Sequence, residues 1–177
     1  MKAKNLIVIG AVAVSLYACS MGNIDSHVEY DDSLETGAYF TASLEEVKKI
    51  VKKEIGPFET CEWEDEKIRK NTKKYWTEFE KDDCEWQARI TVCDDKVVSV
   101  MLSTSGDNTG DAEDYEIESI VKIFSKISGH SVEDIENMAD ELINEEKGEL
   151  YEDGIMLENL QTDSTYALEM VALGDES

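Results

Sequence analysis

Beyond its first twenty residues the chain offers few side chains for catalysis: two histidines, three spread cysteines and a surplus of carboxylates. A Ser-His-Asp or Cys-His relay needs a positioned imidazole as general base. His27 lies in a polar stretch, and His130 lies between two helical patterns, where a turn or capping role is the ordinary one. Neither has the ligand spacing of a zinc site. Asp and Glu number 41. Two of them could serve as the acid and base of a glycoside-cleaving site, but with so many, adjacency singles out no pair. The acidic stretch from Ser105 to Glu116 has the outline of a calcium loop. With Gly110 as the sixth residue, Asp107, Thr109, Glu113 and Glu116 take the third, fifth, ninth and twelfth places. Ser105 stands where the first aspartate belongs, Ala112 replaces a larger apolar residue, and a strand pattern precedes the loop. The same residues also suit a plain loop whose Asp111, Glu113 and Asp114 complement a helix N-terminus. No metal and no cofactor is expected.

The cysteines carry a pattern. Cys61-Glu-Trp63 and Cys84-Glu-Trp86 repeat one tripeptide. If these segments pair, a Cys61–Cys84 disulfide with the tryptophans packed alongside is the expected bridge. Cys84 and Cys93 cannot bridge within one straight strand, because nine residues at about 3.3 Å each far exceed the roughly 7 Å limit between bridged Cα atoms. Trp63, Tyr75, Trp76 and Trp86 could form a binding platform, though core packing is the ordinary fate of such side chains.

The sharpest pattern is N-terminal. Lys2 and Lys4 precede an apolar run, Leu6 to Ala18, too short for a bilayer core of roughly 30 Å. Leu16-Tyr17-Ala18-Cys19 follows, with an aliphatic residue, a small residue and then cysteine. This segment resembles the lipobox of bacterial lipoproteins, and the resemblance covers the signal alone. It implies cleavage after Ala18, a diacylglyceryl (palmitate-type) anchor on Cys19, and a protein held by lipid on the extracytoplasmic face of the cell membrane. Two acyl chains give stable anchoring where one is marginal. An ordinary cleaved secretory signal and an uncleaved anchor are the alternatives.

Removal of residues 1–18 takes two of the 17 Lys and Arg residues and no acid, leaving 15 cations against 41 anions and a net charge of −26. Such a charge repels nucleic acid and anionic headgroups and favours cationic proteins, peptides or divalent ions. With Cys19 lipidated, an odd number of cysteines remains outside the cell, which favours one disulfide and one free thiol.

The elements that must position these residues follow from periodicity. Residues 19–42 are polar and aperiodic, which predicts a flexible acidic spacer. Residues 43–173 form one domain, and residues 174–177 a frayed tail. Ser43-Leu-Glu-Glu46 is a capping box before Leu44, Val47, Val51 and Ile55 on one helical face, and Gly56-Pro57 stops it. Tyr75, Thr77 and Phe79, then Cys84 to Val92, then Val98, Val100 and Leu102 alternate as strands. Connections this short demand antiparallel pairing. Ile117 to Ile127 predicts a second helix, and Ser131 with Asp134 caps a third with Val132, Ile135, Met138, Ala139, Leu142 and Ile143 as its apolar face. Leu150–Leu160 and Thr165–Leu173 predict a final hairpin. The fold class is α+β: helix–strands–helix–helix–hairpin, with three helices on one face of an antiparallel sheet. Ser43–Val51 lines up with Ser131–Ala139, as in a duplicated unit or as any two capped amphipathic helices would.

These features predict a non-catalytic, membrane-anchored binding protein. The alternative is an acidic inhibitor of a basic lysozyme- or protease-like enzyme, and a carboxylate hydrolase is third. A pocket of converging carboxylates would favour an enzyme; a shallow, concave acidic sheet face would favour binding or inhibition.

Overall fold

The helices start where their caps place them. In the computed structural model, which describes residues 27–55, 62–81, 84–105, 114–144, 148–162 and 165–174, Ser43 N–H donates to Glu46 Oε2 at 2.8 Å and Glu46 N–H returns to Ser43 Oγ at 3.4 Å. Ser131 and Asp134 repeat this exchange at 3.2 and 3.1 Å. These reciprocal bonds satisfy N–H groups that a helix start leaves unpaired and open α1 (Leu44–Ile55) and α3 (Val132–Asn144). Between them α2 (Asp114–Ser128) ends on Gly129, whose φ of 81° favours a residue without Cβ and whose N–H donates to Ser125 O at 2.9 Å.

The strands are β1 (Val28–Tyr30), β2 (Ala38–Phe40), β3 (Glu64–Arg69), β4 (Thr72–Lys81), β5 (Cys84–Cys93), β6 (Lys96–Ser105), β7 (Glu149–Glu152), β8 (Ile155–Asn159) and β9 (Tyr166–Ala172). They form one antiparallel sheet in the order β3-β4-β5-β6-β9-β8-β7, with β2 joined to β6 and β1 to β2. One sheet face carries Trp86, Ala88, Ile90, Val100, Leu102, Leu168 and Met170. All are buried with Val47, Val51, Ile55 of α1, Ile120, Phe124, Ile127 of α2 and Ile135, Leu142 of α3. The expected α+β architecture, with three helices on one face of an antiparallel sheet, is therefore the fold.

Four details depart from the sequence reading. The described fold already includes residues 27–42, ahead of the expected start at 43. Val28, Leu34, Ala38 and Phe40 are buried, so the expected spacer over 19–42 supplies two strands. Gly174, placed in the expected tail, is held by its N–H donating to Thr36 O at 2.9 Å; residues 175–177 lie outside the described residues. The final hairpin has a third strand, because Asp153 (φ 39°) and Gly154 (φ 86°) fold the first arm into β7 and β8. Val132, placed on the apolar face of α3, is exposed.

In β6 the expected alternation slips once. Thr91 pairs with Ser99 but Val92 with Val97, leaving Val98 as the extra residue of a bulge. Val97 faces the helices while Val98 joins Ser99 on the other side. The connection from β5 is a two-residue turn with both Asp94 (φ 49°) and Asp95 (φ 65°) left-handed. That geometry matches the twist of a tight hairpin.

Candidate functional site

The sheet face turned away from the three helices is the candidate site. Side chains of directly paired residues in an antiparallel sheet share a face and touch across strands. One such row crosses the whole sheet: Glu149 pairs with Glu158, Glu158 with Glu169, Glu169 with Met101, Met101 with Arg89, Arg89 with Trp76, and Trp76 with Glu64. The row is polar by sign. Three glutamates stand side by side on β7, β8 and β9, and the one arginine stands on β5.

The three glutamates load one another. Partial burial pushes the Glu158 carboxyl above its ordinary value of 4.5, and the charges of Glu169 and Glu149 on either side push it further. Opposing like charges of this kind destabilise a sheet. Across the row Arg89 donates to Gln87 Oε1 at 3.3 Å, and Gln87 donates to Glu78 Oε1 at 2.8 Å. The guanidinium is thereby tied to β4 and β5, away from the triad.

Beside the row lies a cleft of about 300 Å³ whose lining includes Ile68, Thr72, Cys93, Val98, Glu169 and Val171. The bulge at Val98 supplies part of its apolar floor. Thr72 Oγ1 approaches Cys93 Sγ at 3.6 Å. The β1–β2 loop brings Glu35 to the margin, where Arg69 pairs with it. Among the described residues no group of three or more His, Cys, Asp or Glu could hold a metal ion.

Other candidate residues are dispersed. Cys19 and Cys61 lie outside the described residues, so the Cys61–Cys84 bridge does too. Cys84 is buried at the start of β5 on the helix side. Cys93 ends the same strand on the opposite side, in the cleft. Residues 106–113 of the calcium-like loop are also outside the described residues. Its twelfth place, Glu116, is buried and accepts a hydrogen bond from Thr104 Oγ1 at 2.5 Å. His27 is exposed, and its backbone N–H donates to Ser128 O at 3.0 Å. His130 is buried, with no hydrogen-bond partner at either ring nitrogen among the described residues.

The aromatic platform does not assemble. Trp86 is core and stacks on Phe79 with ring centroids 6.2 Å apart. Trp63 and Tyr75 pack at the core margin beneath the Lys48 ammonium, 5.5 and 4.9 Å from their centroids. Trp76 alone belongs to the helix-free row. The glutamate triad was missed in the sequence because its members come from three strands. The period of two around Met156-Leu157-Glu158 and Leu168-Glu169-Met170 was the available signal. No family model, no curated protein and no solved structure matches this chain.

Proposed function

We propose that this chain is a membrane-anchored, non-catalytic lipoprotein that binds a cationic protein or peptide on the helix-free face of its sheet. The observation that carries the reading is the Glu149–Glu158–Glu169 triad. Three carboxylates are kept together at an energetic cost, and a lysine or arginine side chain laid across them would relieve it. The mature charge of −26 adds long-range steering toward such a partner. Inhibition of a basic extracytoplasmic enzyme is one form the same binding could take.

The test has two arms. Oligolysine binding to wild type should be lost in the Glu149→Gln, Glu158→Gln, Glu169→Gln triple variant by at least about tenfold, near 1.4 kcal/mol. Neutralising the exposed acids of α3 (Glu133, Glu136, Asp140 and Glu141) should reduce it far less. Equal losses from both sets would place the attraction in the overall charge and refute the site. Cys19→Ala should release the protein from membranes or leave an unprocessed precursor; unlipidated mature protein in wild-type cells would refute the anchor.

A further inference from the structure

The densest run of positive charge in this acidic chain lies in one hairpin, ahead of the four lysines of α1. Lys67, Arg69, Lys70, Lys73 and Lys74 occupy eight consecutive residues with no acid among them, and they form the tip of the β3–β4 hairpin around the Lys70-Asn71 turn. Lys67 stands directly opposite Lys73. Ile68, between the cations, is 43% exposed. Lys73 keeps an ion pair with Asp65 at 3.7 Å and Arg69 one with Glu35, but both pairs are exposed and worth little, so these cations and the isoleucine beside them contribute little to the fold. They suit an anionic, partly apolar surface.

The hairpin tip lies at the same end of the sheet as the chain's entry from the N-terminus. Val28 pairs with Phe40, and Phe40 with Val97, the second residue of β6. The β5–β6 turn before it touches the hairpin tip, since Asp94 N–H donates to Asn71 O at 2.9 Å. The other large exposed apolar side chains among the described residues gather toward this end. Tyr30 is in β1, and its hydroxyl lies beside Gly154. Tyr151 stands near the Asp153-Gly154 turn, and Val132 opens α3 just beyond Ser128, whose carbonyl accepts the His27 N–H. Fully extended, the chain from Cys19 to His27 reaches about 28 Å at most, so an anchor on Cys19 keeps this end close to the bilayer.

We infer that the β3–β4 hairpin tip docks on anionic lipid headgroups, as a second foot beside the lipid anchor. This rests on the anchored-lipoprotein reading. It revises the expectation that net charge repels such a surface. Exposed charges beyond roughly 8 Å are screened at physiological salt, so the local cations govern a contact at the tip. Two acyl chains already hold the protein, so the foot orients the domain. The opposing charges are Glu35, paired with Arg69, Asp65, paired with Lys73, Glu66 opposite Lys74, and Asp94 and Asp95 in the adjoining turn.

The test uses full-length lipidated protein in vesicles of pure phosphatidylcholine or with roughly one-third phosphatidylglycerol, a strongly anionic surface. Co-flotation reads the anchor, and amide hydrogen exchange across residues 67–74 reads the foot. Exchange should slow several-fold in the anionic vesicles alone. The slowing should vanish in half-molar salt and in the Lys67→Gln, Lys70→Gln, Lys73→Gln, Lys74→Gln variant, and deepen in Asp94→Asn, Asp95→Asn. Flotation with identical exchange in both vesicles overturns the foot and leaves the anchor standing. Failure to float overturns both. Equal slowing in both vesicles, or slowing by inorganic phosphate without vesicles, overturns docking on the anionic bilayer.

Discussion

Replacing Glu158 by glutamine should stabilise the fold and weaken binding together. Glu158 is the middle carboxylate of the triad, directly opposite Glu149 on one side and Glu169 on the other. Each facing like-charge pair costs roughly 0.2–1 kcal/mol. The side chain is partly exposed, so solvent screening puts each pair at the low end. Removing both repulsions should therefore gain about 0.5 kcal/mol, a rise in melting temperature of about 1–2 °C for a domain of this size. The gain depends on pH. Because the folded carboxyl titrates above its ordinary 4.5, the folded state holds that proton more tightly than the unfolded chain. The penalty is thus present in full at pH above the raised value and fades as pH falls through it. Glu158→Gln should melt higher than wild type at neutral pH and no higher once the acid is protonated. Binding should show the complementary sign: a cation favours the ionised form, so wild-type affinity should rise with pH through this titration and the variant's should not. Thermal melts and oligolysine titrations at matched pH check both. A variant that is less stable at neutral pH would refute the mutual loading of the triad, and one that binds as wild type does would remove the triad from the site.

Three other outcomes follow from the geometry. Lys96 donates to Asp31 at 2.5 Å and lies 4.1 Å over the Tyr39 ring. This Lys96 bond, then those from Ser33, hold the Asp31 carboxyl well below its ordinary 3.8. A depressed folded value contributes stability above 3.8 that is lost as pH falls below it, so β1–β2 amides should lose protection in that acid range. In Lys96→Met the acid-dependent step should shrink, and an unchanged step would show that other carboxylates set it. Gly37→Ala should destabilise the domain by about 1–2 kcal/mol from its left-handed backbone alone, and more from a Cβ 3.2 Å from Gly174 Cα, measured by denaturant unfolding; wild-type stability would mean that the N- and C-terminal segments do not lock there. His130→Leu should be neutral or gain up to about 1 kcal/mol, because a buried ring without hydrogen bonds is replaced by an apolar one; a loss above about 2 kcal/mol would show that the imidazole has a partner in solution.

Local physics explains which parts of the fold were legible. Both capping boxes, the apolar stripes of the helices and the alternation of Cys84 to Val92 are decided within a few residues, so the sequence carries them whole. β1 and β2 are three residues each, too short for a period, and their burial depends on a partner as distant as Val97. Acidic, polar composition around them pointed to a spacer, and tertiary pairing overrode it. The bulge at Val98 is equally invisible: one inserted residue in an unbroken Val-Val-Ser-Val run shifts the face without changing the pattern.

Charge patterning is hard to read from sequence for a different reason. A net value averages over the surface, while a protein's partners meet one patch within a screening length. In sequence, Glu64-Asp-Glu66 runs straight into Lys67-Ile-Arg-Lys70, and the two nearly cancel. Folding separates them only in part: the hairpin gathers the cations of both arms at its tip, while Asp65 keeps an ion pair with Lys73 at 3.7 Å and Glu66 stands opposite Lys74. The glutamates of β7, β8 and β9 are brought together by the opposite operation, three isolated residues stacked by register. One chain thus presents a cationic end on the side where its lipid would hold it and an anionic row on an open sheet face. On the two proposals made above, such a molecule would sit on an anionic membrane and bind cationic partners, which uniform acidity would oppose.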